Sequence, residues 1–175
     1  RLIKKIIWEK EIYSWRASCL MYHSLNVYSS TVTEIRLHTW WSYADKFPHL
    51  TPKISTVVSL LLGAQPKGTH EKAYQRKCCG LCEENHEENA RHVLLQCPCL
   101  NDKRSEMFPK LTESMPPVMA DMFNAYEHNA HNVTLLMLSG LRGGYVPEWS
   151  NIYGAITTFV NEMYRERNTL YQSIQ

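Results

Sequence analysis

Apolar residues recur along the first part of the chain at the spacing of an α-helix. Ile12, Trp15, Cys19 and Tyr22 follow Trp8 at alternating steps of four and three residues. This spacing places them on one helical face, with charged and hydroxyl residues between them. The pattern predicts an N-terminal helix that buries one side.

A second helix is predicted from about Thr31 to Tyr43, where Ile35 and the pair Trp40-Trp41 supply apolar positions. Proline lacks the backbone N–H and clashes with a preceding turn. The helix should therefore stop before Pro48.

A third helix has the clearest boundary signals. Thr51 suits the cap, Pro52 suits the first helical position and Gly63 suits the exit. The body, KISTVVSLLL, is rich in β-branched residues, so a buried strand is the alternative.

The second half of the chain predicts short helices and one long one. The segments LNDKRSEMFPKLTESM, VMADMFNAYEHNA and NVTLLMLSGL are interrupted by Pro116-Pro117 and closed by a turn at Gly143-Gly144. A last helix follows Pro147, and its apolar stripe consists of Trp149, Ile152, Tyr153, Ile156, Val160, Met163 and Leu170. We expect this helix to pack back on the earlier ones, giving an all-α fold.

Composition limits the class of protein. With 175 residues, 44% of them apolar, the chain can bury a core, and its net charge of +2 does not by itself indicate nucleic-acid binding. No apolar run reaches the roughly 18 residues of a membrane span, and the start RLIKKII leads into charged positions rather than a signal sequence. We expect an intracellular protein, nuclear or cytoplasmic, and a chain that is part of a longer one.

The segment CCGLCEENHEENARHVLLQCPC, residues 78–99, changes the picture. It holds five of the six cysteines and two of the eight histidines. A disulfide knot would fit a small secreted protein, but a chain of this size does not need such staples. In a reducing compartment the same cluster indicates a metal site.

The favoured ligands have the spacing Cys-x2-Cys-x9-His-x4-Cys. They are Cys79, Cys82, His92 and Cys97. Two thiolates two residues apart meet at one ion if the backbone bends tightly, which Gly80 eases. Three sulfurs and one imidazole are typical of one structural Zn²⁺, and four protein ligands leave no position for a catalytic water.

The segment ENARHVLLQC should form a short helix that presents His92 and ends where Pro98 stops it. Leu94 and Leu95 would pack towards neighbouring helices. The substitutes that remain open are Cys78 for Cys79, His86 for His92, and Cys99 for Cys97. Ordinary packing cysteines are the remaining alternative.

Two enzyme interpretations do not fit the sequence. His86-Glu87-Glu88 contains the His-x-Glu of zinc deaminases, but their Pro-Cys-x-x-Cys should follow it, whereas Cys79 and Cys82 precede it. A thioredoxin-like redox pair would need a surrounding βαβ pattern, and the sequence has none.

The residues around the motif resemble the zinc-binding segment that follows the reverse transcriptase of non-LTR retrotransposons. The shared elements, over roughly residues 54–108, are a helix ending in Leu-x-Gly, a basic linker, the Cys-x-x-Cys, an acidic loop, His92-x-Leu-Leu-x-Cys97-Pro98 and then Arg104. The resemblance implies a non-catalytic region that helps to hold template RNA or target DNA during target-primed reverse transcription. Its partners would be RNA or DNA and an upstream reverse transcriptase domain. No Tyr-x-Asp-Asp motif of a polymerase is present.

Basic and aromatic residues flank the motif and are candidates for nucleic-acid contact. They are Lys67, Lys72, Tyr74, Arg76, Lys77, Arg91, Lys103 and Arg104. Against this, glutamates at 83, 84, 87 and 88 would repel a phosphate backbone.

The predicted organisation is a helical segment over 1–66, a zinc-binding module with its basic linker over 67–108, and a C-terminal helical segment over 109–175 that packs on the first. The alternative function is a zinc-stapled helical module that binds another protein.

Overall fold

The computed structural model describes residues 2–21, 28–29, 38–63, 79–82, 86–141 and 146–174. Within these ranges every regular element is helical, which confirms the all-α prediction. None of the helices in these ranges has the length and apolar content that crossing a bilayer requires.

Seven α-helices are described. They are α1 (Leu2–Met21), α2 (Thr39–Lys46), α3 (Thr51–Leu61), α4 (Asn101–Thr112), α5 (Pro117–Asn124), α6 (Tyr126–Ser139) and α7 (Ser150–Ser173). Single turns of 3-10 helix at Pro48–Leu50, Pro98–Leu100 and Pro147–Trp149 lead into three of them. Proline therefore marks helix entrances here, where its missing N–H costs nothing.

The N-terminal helix α1 follows the predicted stripe where its side chains are described. Cys19 is buried, Trp15 is half-buried and its ring meets that of Tyr28 edge to face at 5.9 Å. The side chain of Trp8 and the whole of Tyr22 lie outside the described part. Among the described side chains of α1, Tyr13 and Met21 are exposed.

The second and third predicted helices need their starts corrected. His38 is extended and its ring accepts a hydrogen bond from the N–H of Trp40, so α2 begins at Thr39, while residues 31–37 lie outside the described ranges. Thr51 is the first residue of α3 rather than its cap, because the preceding 3-10 turn leads directly into the helix. Gly63 has a φ of 69° and ends α3 as predicted, and the strand alternative is wrong.

The last helix, α7, holds the fold together. It lies against α3 and α4 and against the segment that carries His92. Its inner face buries Ile152, Tyr153, Ile156, Phe159, Val160, Met163 and Tyr164. The predicted stripe is confirmed in its middle, while Trp149 and Leu170 at the ends are half-buried.

The predicted helix over LNDKRSEMFPKLTESM is confirmed as α4, which runs through Pro109 and ends at Thr112, before Pro116. The two predicted helices that follow divide at a different place, because α6 begins at Tyr126 and is kinked at Asn129, where φ is −141°. The predicted turn at Gly143-Gly144 lies outside the described residues.

Trp40 joins helix α2 to helix α6. Its side chain is fully buried, and its indole N–H donates to the carbonyl of Leu138 at 2.6 Å. Trp40→Phe should lower the free energy of unfolding by about 1–3 kcal/mol, because it leaves that buried acceptor unpaired. Urea unfolding monitored by circular dichroism measures the change.

The neighbouring Trp41 provides a matched control, since it is 50% exposed. Trp41→Phe should change the free energy of unfolding by no more than about 0.5 kcal/mol. Equal effects of the two substitutions would contradict the structural role of Trp40.

Candidate metal centre

Four side chains from two separate segments converge beside α7. Cys79 and Cys82 come from a short turn, and His92 and Cys97 come from the segment that precedes α4. One ligand atom from each of the four lies within 4.8 Å of all the others. The structure thus brings together the four ligands that the sequence favours.

The distances suit a tetrahedral ion. The sulfurs of Cys79 and Cys97 are 3.9 Å apart, and the sulfur of Cys82 is 3.5 Å from Nε2 of His92. With metal–sulfur and metal–nitrogen bonds of zinc length, a tetrahedron has edges of about 3.8 Å and about 3.6 Å for these pairs. A disulfide needs sulfurs at about 2 Å, so Cys79 and Cys97 are separate thiols.

A local widening of the helix places the second pair of ligands. Residues His92–Gln96 form a π-helical turn, in which the N–H of Cys97 donates to the carbonyl of His92 at 2.6 Å. Asn89 caps this segment by accepting a hydrogen bond from the N–H of His92. The sequence predicted an ordinary helix here, and the π-turn instead bonds the two ligand-bearing residues directly.

The site is dry. Exposed fractions are 6% for Cys79, 9% for Cys82, 3% for His92 and 0% for Cys97. As predicted, Leu94 and Leu95 beside them are buried in the helical core. The site is therefore continuous with the core.

The acidity of the thiols indicates why this cluster suits a cation. The hydrogen bond with Cys97 lowers the pKa of Cys79 to about 4. The same contact, together with burial, raises the pKa of Cys97. Two buried thiols in contact thus hold one negative charge readily and a second one only with a cation between them, and a divalent metal supplies that charge.

The substitute ligands among the described residues are exposed and do not belong to the four-ligand group. His86 is exposed, and its ring centre is 5.5 Å from that of His92. Cys99 is exposed, and its thiol donates to the carbonyl of Leu81 at 3.0 Å. Cys78 lies outside the described residues.

The nucleic-acid candidates have mixed outcomes. Those of the basic linker lie outside the described residues: Lys67, Lys72, Tyr74, Arg76 and Lys77. Arg91 is exposed, next to a ligand. Lys103 pairs with Glu106 at 2.8 Å and lies 3.9 Å from Glu162, so acidic neighbours partly offset its charge.

Arg104 has a role that differs from the predicted phosphate contact. It is 4% exposed, and its guanidinium donates to the carbonyls of Leu94 at 3.0 Å and Cys97 at 2.9 Å and to the Asn101 side chain. Its fork thereby closes the end of the π-turn. It also places a positive charge beside a site that would carry a net charge of −1 with three thiolates and one divalent ion. The structure does not support a phosphate contact here.

Sequence reasoning missed the supports of the first pair of ligands. Glu88 is one of the glutamates predicted to repel a phosphate backbone, but its side chain is only 7% exposed and pairs with Arg167 of α7. Tyr171, one turn further on, reaches the Cys-x-x-Cys turn. The signal for Arg167 was its position on the buried stripe, four residues after Met163.

The chain was compared with protein-family models, with curated proteins and with solved structures, and none of them matches it. The site must therefore be interpreted from its own geometry.

Variants of Cys97 and Cys99 compare a predicted metal ligand with a nearby cysteine that is not a ligand. Cys97→Ser should abolish binding of one metal ion per chain, because the buried sulfur completes the tetrahedron. Cys99→Ser should leave one metal ion per chain. Native mass spectrometry of the two variants measures the stoichiometry, and metal loss in the Cys99 variant alone would exchange the two assignments.

Variants of Arg104 and Arg91 compare a buried, hydrogen-bonded arginine with an exposed one. Arg104→Met should lower the free energy of unfolding by about 2–5 kcal/mol, because it removes the guanidinium donors of two buried carbonyls, of which that of Cys97 keeps the N–H of Leu100, and because it removes a neutralising charge. Arg91→Met should change it by at most about 0.5 kcal/mol. Urea titrations of the metal-loaded proteins provide the comparison. A stable Arg104 variant with weakened RNA binding would instead favour the phosphate contact.

Proposed function

We propose that the Cys3His centre binds one Zn²⁺ ion as a structural element of a non-catalytic domain. The observation that carries this is the set of four protein side chains whose ligand atoms all lie within 4.8 Å of one another, which is enough to complete a tetrahedral site without water. Zinc prefers this set of three sulfurs and one imidazole, and a catalytic zinc ordinarily keeps one position for water.

The zinc ion would hold two segments together where they enter the core. It would join the turn at 79–82 to the π-turn at 92–96, whose leucines pack among the helices. Because an unfolded chain offers no such site, zinc binding would add directly to folding stability.

We further propose that the domain is an accessory to reverse transcription that binds RNA or DNA, as in the C-terminal region of non-LTR retrotransposon polyproteins. The resemblance around the ligands supports this proposal, as does the basic linker that leads into Cys79. Exposed Arg91 adds a positive charge beside the ligand His92. An upstream reverse transcriptase domain would supply the chemistry, and the setting would be intracellular, nuclear or cytoplasmic.

A protein-binding module is the second candidate. One observation favours it: Val118 and Met122, one turn apart on α5, are 83% and 36% exposed. An apolar contact of this kind would respond weakly to salt, whereas phosphate binding weakens steeply as salt rises.

Salt-dependent binding to single-stranded RNA and DNA tests the proposal. Neutralising Lys72, Arg76 and Lys77 to glutamine should weaken binding at low salt. It should also reduce the slope of log affinity against log salt by about 2 units, since each phosphate contact contributes about 0.7–0.9. Fluorescence anisotropy of labelled oligonucleotides measures both.

The matched control removes three exposed cations elsewhere: Lys10, Lys53 and Lys110. This variant has the same net charge as the linker variant, and its salt slope should stay close to that of the parent chain. Equal slopes in the two variants would remove the linker from the proposal. No binding by the zinc-loaded parent chain would favour the protein-binding candidate.

A further inference from the structure

The end of α7 contacts the loop that carries the first two ligands. The hydroxyl of Tyr171 accepts a hydrogen bond from the N–H of Gly80 at 2.8 Å and donates to the carboxylate of Glu88 at 3.2 Å. Gly80 lies between the two cysteines of the turn. One phenol thus joins both sides of the ligand loop to the C-terminal helix.

One turn earlier on α7, Arg167 strengthens the same attachment. Its guanidinium donates through Nε and Nη2 to Glu88, and it lies 4.6 Å from the centre of the Tyr171 ring. The side chains of Arg167 and Glu88 are each 7% exposed. Such a shielded, hydrogen-bonded pair holds its partners in one arrangement, since breaking it would leave a buried charge.

The approach of Tyr171 to the turn leaves little room for a side chain at Gly80. A Cβ atom there would lie 3.1 Å from Cε1 and from the hydroxyl oxygen of Tyr171. Glycine at this position therefore favours the contact with α7, whereas its φ lies outside the left-handed region and the bend of the turn does not itself require glycine.

We infer that the last two turns of α7 form part of the metal centre, with Tyr171 and Arg167 as positioning residues that hold the Cys79–Cys82 turn ready for the ion. The inference rests on the proposed zinc binding. Groups that fix metal ligands without touching the metal raise metal affinity, because they restrict the ligands to the binding geometry.

The coupling works in both directions. If docking of α7 raises zinc affinity, zinc binding must favour docking of α7 by the same factor. Zinc would then control how firmly the C-terminal end of the chain is attached to the domain.

Competition with a chromophoric chelator tests the first direction on the full chain. Tyr171→Phe keeps the ring and removes the hydroxyl, and it should weaken zinc binding about tenfold, the lower end of the effect of outer ligand supports. The stoichiometry should remain one zinc ion per chain.

Tyr153→Phe is the matched control. Tyr153 is also on α7, and its hydroxyl also accepts a backbone N–H, that of Val146 at 3.1 Å. It lies about five helical turns from Tyr171, and its substitution should change zinc affinity by less than about twofold. A merely destabilised α7 would affect both variants alike, so the ratio of their affinities isolates the positioning role.

Hydrogen exchange of the unaltered chain tests the other direction. Removing zinc should accelerate exchange in residues 165–174 more than in residues 152–160 of the same helix, because the former include Arg167 and Tyr171, which contact the ligand loop.

The outcomes separate the two proposals. Zinc bound equally by the Tyr171 and Tyr153 variants, with uniform exchange along α7, would overturn the inference and leave the zinc site intact. A chain that binds no zinc would overturn both. Weakened binding in the Tyr171 variant alone, with faster exchange at the end of α7, would support both.

Discussion

The convergence of three buried thiols and one buried imidazole is the constraint on which the surrounding structure depends. Sulfur and nitrogen atoms at 3.9 Å and 3.5 Å are spaced as ligands of one ion. Burial makes the uncompensated charge of several thiolates costly, so the same burial that shields the site also favours a cation within it. The two segments that meet here contain little regular structure apart from one π-turn, and the ligand set explains why they lie together.

Each half of the site is supported by an arginine from a different helix. Arg104 of α4 closes the π-turn through the carbonyls of Leu94 and Cys97. Arg167 of α7 holds the opposite side through Glu88. Guanidinium groups suit this position because their planar fork satisfies several acceptors at once and remains charged when buried. The centre is therefore anchored to the two helices that pack most closely on each other.

The elements that the sequence predicted well are those that depend on local patterns. The signals at Pro52 and Gly63 identified α3, amphipathic spacing identified the body of α7, and ligand spacing identified the four donors. Two predicted helix starts were wrong. The side chain of His38 caps α2, which begins at Thr39, and a 3-10 turn leads directly into α3 at Thr51. The π-turn was not predictable, because it follows from the requirement that His92 and Cys97 face one point and not from helix propensity.

The role of basic residues shows most clearly what sequence cannot decide. Counting positive charges near the motif placed Arg104 with the phosphate contacts, yet its nearest acceptors are carbonyls inside the same segment. An arginine close in sequence to a metal site has two competing demands, since buried backbone carbonyls and an anionic centre can attract it as well as an external phosphate. Burial decides between them. Among the described residues next to the metal centre, Arg91 is exposed whereas Lys103 and Arg104 have internal acceptors, so a nucleic-acid surface there would depend on Arg91 and not on the core of the metal centre.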